Sequence, residues 1–160
     1  MKVTVIIVSL FVITCFFGFA CKKNEVLPPV TTTGEGTMGF LIDGKNWVAH
    51  SNDFKIYRAT AKFYSPSVFI SAVNNSVSHI EILLSNPKVG QYQFSTSDKI
   101  EYKRYGAFPI FSLDSNNPSN DLLITYYDEK IISGKFSFKL KSPDDAIVSI
   151  TSGRFDIPIK

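Results

Sequence analysis

Apolar and polar residues alternate with a period of two along most of the chain from Thr37 onward, and no window shows the spacing of an amphipathic helix. In the clearest segment, residues 38–49, the dipeptide Asp43-Gly44 interrupts the alternation. Asp-Gly favours a type I′ turn, because both central residues of that turn need positive φ. A two-residue turn at this point predicts a hairpin with one apolar face. The side chains on that face are Met38, Phe40, Trp47 and Ala49.

The same alternation predicts further short strands along the rest of the chain. They cover residues 54–63, 67–73, 79–84, 90–94, 122–127, 131–140, 147–151 and 154–159. Residues 95–120 are rich in Ser, Asn, Tyr and Lys and contain two prolines, so we predict a long loop with one broken strand near residues 105–113. The pattern as a whole predicts an all-β fold, a single antiparallel β-sandwich or flattened β-barrel of about nine or ten short strands.

One motif occurs twice near the C-terminus. The segment Ser133-Gly134-Lys135-Phe136 is echoed by Ser152-Gly153-Arg154-Phe155. A glycine within a strand usually marks a bulge or a close approach of two backbones. We therefore interpret the echo as two adjacent strands with similar packing rather than as a functional site.

The N-terminal end of the chain has a different pattern. Lys2 is followed by residues 3–20, which carry no charge and are just long enough to span a bilayer. Lys22 and Lys23 come directly afterwards, however, and would lie on the outer side of a retained helix, against the positive-inside tendency. A charge, an apolar run and small residues form the layout of a signal peptide, so we predict that residues 1–20 are removed. An uncleaved anchor and a plain secretory signal are the alternatives.

The end of this leader, Gly18-Phe19-Ala20-Cys21, resembles a bacterial lipobox with Gly18 in the place of the usual aliphatic residue. The resemblance implies cleavage before Cys21 and acylation of that cysteine, and several acyl chains anchor a protein stably in a membrane. With Lys22 and Lys23 after the cysteine, the leader is similar to those of Bacteroidetes-type lipoproteins. Lys22 is not the aspartate that retains lipoproteins in the inner membrane of other bacteria. By that resemblance the protein belongs to the outer membrane, on its periplasmic or surface-facing side.

Residues 22–36 contain prolines, threonines and glycines without a period, which is typical of a tether. Fully extended at ~3.1 Å per residue, this tether reaches roughly 45 Å from the bilayer. The alternative is that its last residues join the first strand as an edge. We thus divide the chain into a signal peptide (1–20), a lipidated cysteine with a flexible tether (21–36) and a β domain (37–160).

A family of small Bacteroidetes-type lipoproteins with an all-β body resembles this chain from about Met38 to Lys160. The shared motifs are Asp43-Gly44-x-x-Trp47-x-Ala49, Ile132-Ser133-Gly134-x-Phe136-x-Phe138 and Ile150-Thr151-x-Gly153-x-Phe155. These motifs are turns and core aromatics. The resemblance therefore implies a location and a fold, and it transfers no catalytic residue.

Composition narrows the function classes. A chain of 160 residues with 44% hydrophobic residues suits one globular domain behind the leader. The net charge of +3 is too weak a field to indicate a nucleic-acid partner. The two cysteines, Cys15 and Cys21, cannot form a disulfide scaffold once the leader is removed.

The sequence contains few candidates for catalytic, metal-binding or cofactor-binding residues. His50 and His79 are the two histidines, and the chain has no zinc, phosphate-loop or serine-hydrolase motif, so we predict no catalytic residue, no metal and no cofactor. Residues 114–121 are rich in oxygen ligands, but Pro118 occupies the fifth position of an EF-hand loop and Thr125 replaces its closing Glu. A plain turn cluster is therefore expected there, with calcium binding as the alternative.

The most distinctive polar and aromatic residues lie in the irregular segment. They are Tyr102, Lys103, Arg104, Tyr105 and Phe108. Exposed tyrosines beside polar groups suit sugar stacking or protein contacts, so we predict a ligand surface here. The alternative is that the rings cover the open end of the β core.

Taken together, the sequence predicts a lipid-anchored extracytoplasmic binding or structural module of the cell envelope. Its expected partners are the membrane, through the anchor, and a glycan or protein ligand, with no nucleic acid. A lipocalin-like carrier of a small apolar ligand and a glycan-acting hydrolase are the alternatives.

Overall fold

The computed structural model describes residues 26–50, 58–75, 77–106, 109–114 and 117–160. In these ranges the chain forms eleven strands and no helix, and it offers no helical segment long and apolar enough to span a membrane. The strands are β1 (Thr37–Ile42), β2 (Lys45–Val48), β3 (Ala59–Tyr64), β4 (Ser67–Asn74), β5 (Ser78–Ser85), β6 (Gly90–Gln91), β7 (Lys99–Arg104), β8 (Phe111–Leu113), β9 (Asp121–Tyr127), β10 (Ile131–Lys141) and β11 (Ile147–Pro158). The all-β prediction is confirmed, with slightly more strands than expected.

The strands form one antiparallel sheet that curls into a half-barrel. Its main path runs β2-β1-β11-β10-β8-β7-β5-β4-β3, while β9 pairs with β10 and β6 beside it. Isolated bridges connect the two ends of this path: Ala61 of β3 pairs with Ile159, and His50 after β2 pairs with Asn74 of β4. The curled sheet is therefore closer to the flattened barrel than to the sandwich.

The first hairpin has the predicted geometry. Asp43 and Gly44 adopt φ of 48° and 79°, and Phe40 lies opposite Trp47 in the register. The two rings stack with centroids 4.4 Å apart. The indole Nε1 of Trp47 donates a 2.8 Å hydrogen bond to the Ser78 hydroxyl on β5, so the hairpin is tied to the far part of the sheet.

Aromatic side chains fill the inner face of the half-barrel. The Phe40 ring lies 5.9 Å from the Phe136 ring, which stacks on Phe138 at 4.9 Å. Phe94, in the loop after β6, meets Phe138 edge-on at 6.0 Å. Aliphatic residues from all the long strands surround these rings, so the described interior is a packed core.

The repeated motif explains how β10 and β11 pack. Gly134 lies opposite Phe155 and Gly153 lies opposite Phe136, so each glycine faces the ring of the other strand. A Cβ at Gly153 would come within 2.5 Å of the Phe136 ring, and one at Gly134 within 2.7 Å of the Phe155 ring. The rings thus lie over the glycines, and the structural interpretation of the echo agrees with this arrangement.

Two parts of the strand pattern differ from the prediction. Residues 95–120 contain β7 and β8, where one broken strand near residues 105–113 was expected. The charged residues of β7 alternate with Ile100 and Tyr102, which are both buried, and this high charge obscured the period of two. The strands predicted at 147–151 and 154–159 are one strand, β11, because a bulge at Ser152, with φ of 54°, carries the chain through the irregular point.

The described end of the predicted tether is bound to the β domain. Thr31 donates through its hydroxyl to the Asp156 carboxylate at 2.7 Å, and the backbone N–H of Gly34 donates to it at 2.8 Å. Arg154 also donates to the Pro28 carbonyl at 3.3 Å. Residues 28–35 therefore lie along β11 instead of extending freely, while residues 21–25 are outside the described part of the chain.

Candidate functional site

The residues predicted to form a ligand surface have different environments. Tyr102 is only 3% exposed, whereas Tyr105 is 50% exposed. Arg104 is exposed at the end of β7, and Lys103 is half-buried on the outer face of the same strand. Phe108 lies outside the described residues, as does the predicted lipidation site at Cys21.

Tyr102 is a core residue, which corrects its place in the predicted exposed cluster. Its ring lies on the inner face of β7, 6.5 Å from the ring of Phe111 on β8. Ile80 lies opposite Tyr102 on β5 and is fully buried. The alternation of β7 requires this placement, because Glu101 and Lys103 on either side of Tyr102 take the outer face. For Tyr102, the interpretation as a ring that covers the core is the better one.

Tyr105 covers a histidine at the edge of the sheet. Its ring lies 5.1 Å from the His79 ring, and its backbone N–H donates to the Val77 carbonyl at 2.8 Å. Burial lowers the pKa of His79, with Lys103 acting in the same direction and Glu81 against it. Burial beneath the exposed tyrosine ring thus favours the neutral imidazole, although the Glu81 carboxylate lies 3.6 Å from its Nε2 atom.

The outer faces of β5 and β7 carry a continuous ionic ladder. Glu101 accepts from Lys99 at 2.9 Å and from Lys103 at 3.1 Å, and Lys103 also reaches Glu81 at 3.2 Å. Burial alone would raise the pKa of Glu101, but the hydrogen bonds from the two lysines outweigh it and lower that pKa. The hydrogen bond to Glu101 in turn raises the pKa of Lys103. The contact between Glu101 and Lys103 therefore favours the charged form of both residues.

One of the two paired carboxylates of this ladder, Glu101, differs from the general acid of a glycosidase. Glu81 and Glu101 lie directly opposite each other, and both contact the Lys103 ammonium. A glycosidase needs one carboxyl group that stays protonated as the general acid, with a raised pKa. Since the pKa of Glu101 is lowered, Glu101 does not fit the role of that acid.

An open groove of about 610 Å³ begins at Glu101 and follows β8 and β10. We call it the outer groove. Its polar lining consists of Glu101, Ser112, Asp114, Lys141, Ser142 and Asp145, and its apolar lining consists of Ile110, Leu113 and Pro143. Three of these residues are neighbours through the sheet register, because Ser112 lies opposite both Glu101 and Lys141.

The groove combines charged, hydroxyl and apolar groups on one surface. Lys141 forms an ion pair with Asp145 at 2.7 Å, which closes the end of the groove at the β10–β11 turn. Ser112 is exposed on β8, and Ile110 before it is also exposed. Carboxylates and hydroxyls can exchange hydrogen bonds with a polyhydroxylated ligand, while apolar side chains contact its C–H faces.

In the oxygen-rich loop at residues 114–121, two asparagine side chains accept hydrogen bonds from backbone N–H groups. Asn117 accepts from the backbone N–H of Ser119 at 2.9 Å, and Asn120 accepts from the N–H of Lys139 at 2.8 Å. Within the described residues, no group of three or more His, Cys, Asp or Glu side chains is placed to hold a metal ion. These contacts are those of a turn cluster at the described residues of the loop.

The fold and the groove define a small all-β half-barrel domain with a polar site on its outer face. Residues 41–158 match the family model described as Domain of unknown function (DUF6252). Because this match covers most of the chain, the protein belongs to that family. No curated protein and no solved structure matched the chain.

The groove was not predicted from the sequence, although part of the segment that forms it was. Residues 110–114 lie in the irregular segment that was proposed to bind a ligand, but Lys141 and Asp145 come from a hairpin much later in the chain. No local motif connects these segments. Only the pairing of β8 with β10 brings them together.

Proposed function

We propose that the protein is a lipid-anchored cell-envelope protein whose β domain binds a glycan in the outer groove. The observation that carries this proposal is the lining of the groove, where carboxylates, hydroxyls and exposed apolar side chains share one open surface. A protein ligand would also find charged groups there. The exposed Ser112 hydroxyl beside Ile110, however, matches the alternating polar and C–H surfaces of a sugar. The Ser142 hydroxyl is buried and binds within the turn, to Asp144 and to the Ala146 carbonyl.

The proposed location rests on the leader. Gly18-Phe19-Ala20-Cys21 has the layout of a lipobox, and Lys22 follows the cysteine. Cleavage before Cys21 and its acylation would attach the domain to the outer membrane, by the resemblance to Bacteroidetes-type lipoproteins. A glycan-binding domain at that location would meet polysaccharides of the envelope or of the surroundings.

The packed interior supports a surface site over an internal one. A lipocalin-like carrier needs an apolar cavity inside the barrel. Here the rings of Phe40, Phe136 and Phe138 contact one another across the inner face. A ligand of the described domain would therefore bind on the outer face.

Binding is tested by filling the groove in the full-length lipidated protein. The probes are purified peptidoglycan sacculi, in a co-sedimentation assay, and soluble dextran, xylan and starch, in affinity electrophoresis. Ser112→Trp places a large ring in the groove, and we expect it to weaken retention by a glycan roughly ten-fold or more. Thr60→Trp is the matched control, because Thr60 lies on the edge strand β3 away from the groove.

The outcomes test two claims separately: that the protein binds a glycan, and that the outer groove is where it binds. Weaker retention by Ser112→Trp, with Thr60→Trp unchanged, supports the groove. Retention that is equal in both variants places glycan binding elsewhere, and no retention of the wild type by any probe contradicts the glycan proposal. The anchor is tested separately, since Cys21→Ala should abolish incorporation of labelled palmitate and release the protein from the membrane fraction.

A further inference from the structure

The N-terminal segment is attached to one defined face of the sheet. Pro28 covers Gly39 of β1 so closely that a Cβ at Gly39 would lie 2.5 Å from the Pro28 Cδ atom. The Pro28 carbonyl accepts from Arg154 on β11 at 3.3 Å, and the following residues are held by the Asp156 carboxylate. The chain therefore reaches the β domain over the outer face of β1 and β11.

This attachment limits how far the sheet can lie from Cys21. The contacts with Gly39 begin at Leu27, so the linker that leads from Cys21 spans residues 22–26. Fully extended at ~3.5 Å per residue, the path from Cys21 to Leu27 covers roughly 20 Å. If Cys21 is acylated, the outer face of β1 and β11 is held close to the bilayer.

That face carries cations and exposed apolar residues in one row. Arg154 of β11 lies opposite Lys135 of β10, and Lys135 lies opposite Leu123 of β9. Leu123 is 37% exposed, and Val30, which lines the same shallow hollow of about 360 Å³ as the two cations, is 49% exposed. We call these four residues the basic row.

Neither cation of the basic row forms an ion pair with a carboxylate of the described residues. Arg154 donates to the carbonyls of Ser152 and Pro28, which are neutral acceptors. Among the described residues, no ion pair links Arg154 or Lys135 to a carboxylate. Asp121 lines the hollow, but it already accepts from the Gln91 amide at 2.6 Å.

We propose that the basic row is a membrane-contact surface that binds anionic phospholipid headgroups. This inference rests on the proposed acylation of Cys21, which brings the face to the bilayer. Lys135 and Arg154 bind headgroup phosphates, and Val30 and Leu123 lie in the apolar part of the interface.

The basic row and the outer groove lie on different stretches of β10. Lys135 belongs to the basic row, and Lys141 of the same strand lines the groove. At ~3.3 Å per residue, the two positions are roughly 20 Å apart along β10. No residue lines both the hollow of the basic row and the outer groove, so headgroup binding and glycan binding use different side chains.

The test measures membrane proximity at single positions of the lipidated full-length protein. The protein is reconstituted in vesicles of phosphatidylcholine and phosphatidylglycerol that contain a headgroup spin-labelled lipid. A fluorophore is attached at Lys135→Cys or, as the matched control, at Lys62→Cys, an exposed lysine on the edge strand β3. We expect quenching to be several-fold stronger at position 135, and equal quenching at the two positions overturns the proposal.

Charge reversal tests the role of the cation. With the fluorophore at Leu123→Cys, adding Lys135→Glu should reduce quenching at least two-fold, whereas adding Lys62→Glu should not change it. Unchanged quenching in Lys135→Glu would contradict headgroup binding by the row. Co-flotation of the protein with the vesicles is recorded in each sample. Its loss refutes acylation and the orientation together, while flotation with equal quenching at 62 and 135 refutes the orientation alone.

Discussion

The carboxylate of Asp156 accepts a 2.7 Å hydrogen bond from the hydroxyl of Ser133, its register partner on β10. Asp156 is 1% exposed, and its remaining acceptor positions are taken by the segment that precedes β1. The donors there are the Thr31 hydroxyl and the backbone N–H groups of Thr33, Gly34 and Glu35. One buried charge thus connects β10, β11 and the N-terminal segment.

The acid dependence of stability should contain a large contribution from Asp156. Burial alone would raise its pKa, but the hydrogen bonds from Thr31, Ser133 and the loop amides lower it to about 2. Because the folded value is below the unfolded value, the stabilisation is present at neutral pH and is lost as pH falls from about 5 towards 2. Asp156→Asn should remove about 2 kcal/mol at neutral pH and flatten this acid limb.

The measurement is urea unfolding at a series of pH values, followed by the fluorescence of Trp47, the single tryptophan, which is buried. Asp145→Asn is the control, because Asp145 is exposed and its carboxylate forms an ion pair with Lys141 at the surface. That control should change stability by less than about 0.5 kcal/mol. An Asp156→Asn variant that keeps the acid limb of the wild type would contradict the assignment.

The glycine–phenylalanine pairs predict a strong response to one added methyl group. Gly153→Ala should destabilise the protein by about 1–3 kcal/mol, because its Cβ would meet the Phe136 ring at 2.5 Å. In the double variant with Phe136→Leu, the smaller side chain should relieve part of this strain. A double-mutant cycle from urea unfolding measures the coupling. Strictly additive costs would show that the ring and the glycine do not restrict each other.

Local features of this fold could be predicted from the sequence. The Asp43-Gly44 turn and its strand register depend on adjacent residues, so the dipeptide alone indicates them. The pairing of the two glycine motifs is also recognisable, because β10 and β11 follow each other along the chain. In both cases the physical cause lies within one hairpin.

The contacts that define the site depend on distant parts of the chain. No residue next to Asp156 in the sequence marks it as a buried hydrogen-bond acceptor, because its partner Thr31 is more than a hundred residues away. Lys141 joins Glu101 in the outer groove only because β8 lies between their strands. Tyr102 was misplaced for a related reason, since its neighbours in β7 are charged while its own position faces the core.

The two tyrosines of the predicted ligand surface should respond differently to truncation. Tyr102→Ala removes a core ring and should cost about 3 kcal/mol of stability. Tyr105→Ala removes a ring that is 50% exposed, and we expect it to cost less than about 1 kcal/mol. Thermal or urea unfolding of both variants measures the difference. Similar large costs would show that Tyr105 is also a core residue.

In mildly acidic conditions, His79 should lower the free energy of unfolding. Burial lowers the pKa of its imidazole, with Lys103 acting in the same direction, while Glu81 and Glu101 act against it. For a base whose folded pKa is below its unfolded value, the unfolded chain binds the proton first, so stability falls as pH drops through about 6.5.

His79→Phe keeps a ring beneath Tyr105 and should remove this decline. Tyr105→Ala uncovers the imidazole and should reduce it. Urea midpoints from neutral pH down to about pH 5.5 provide the measurement, and an unchanged decline in His79→Phe would contradict the role of His79.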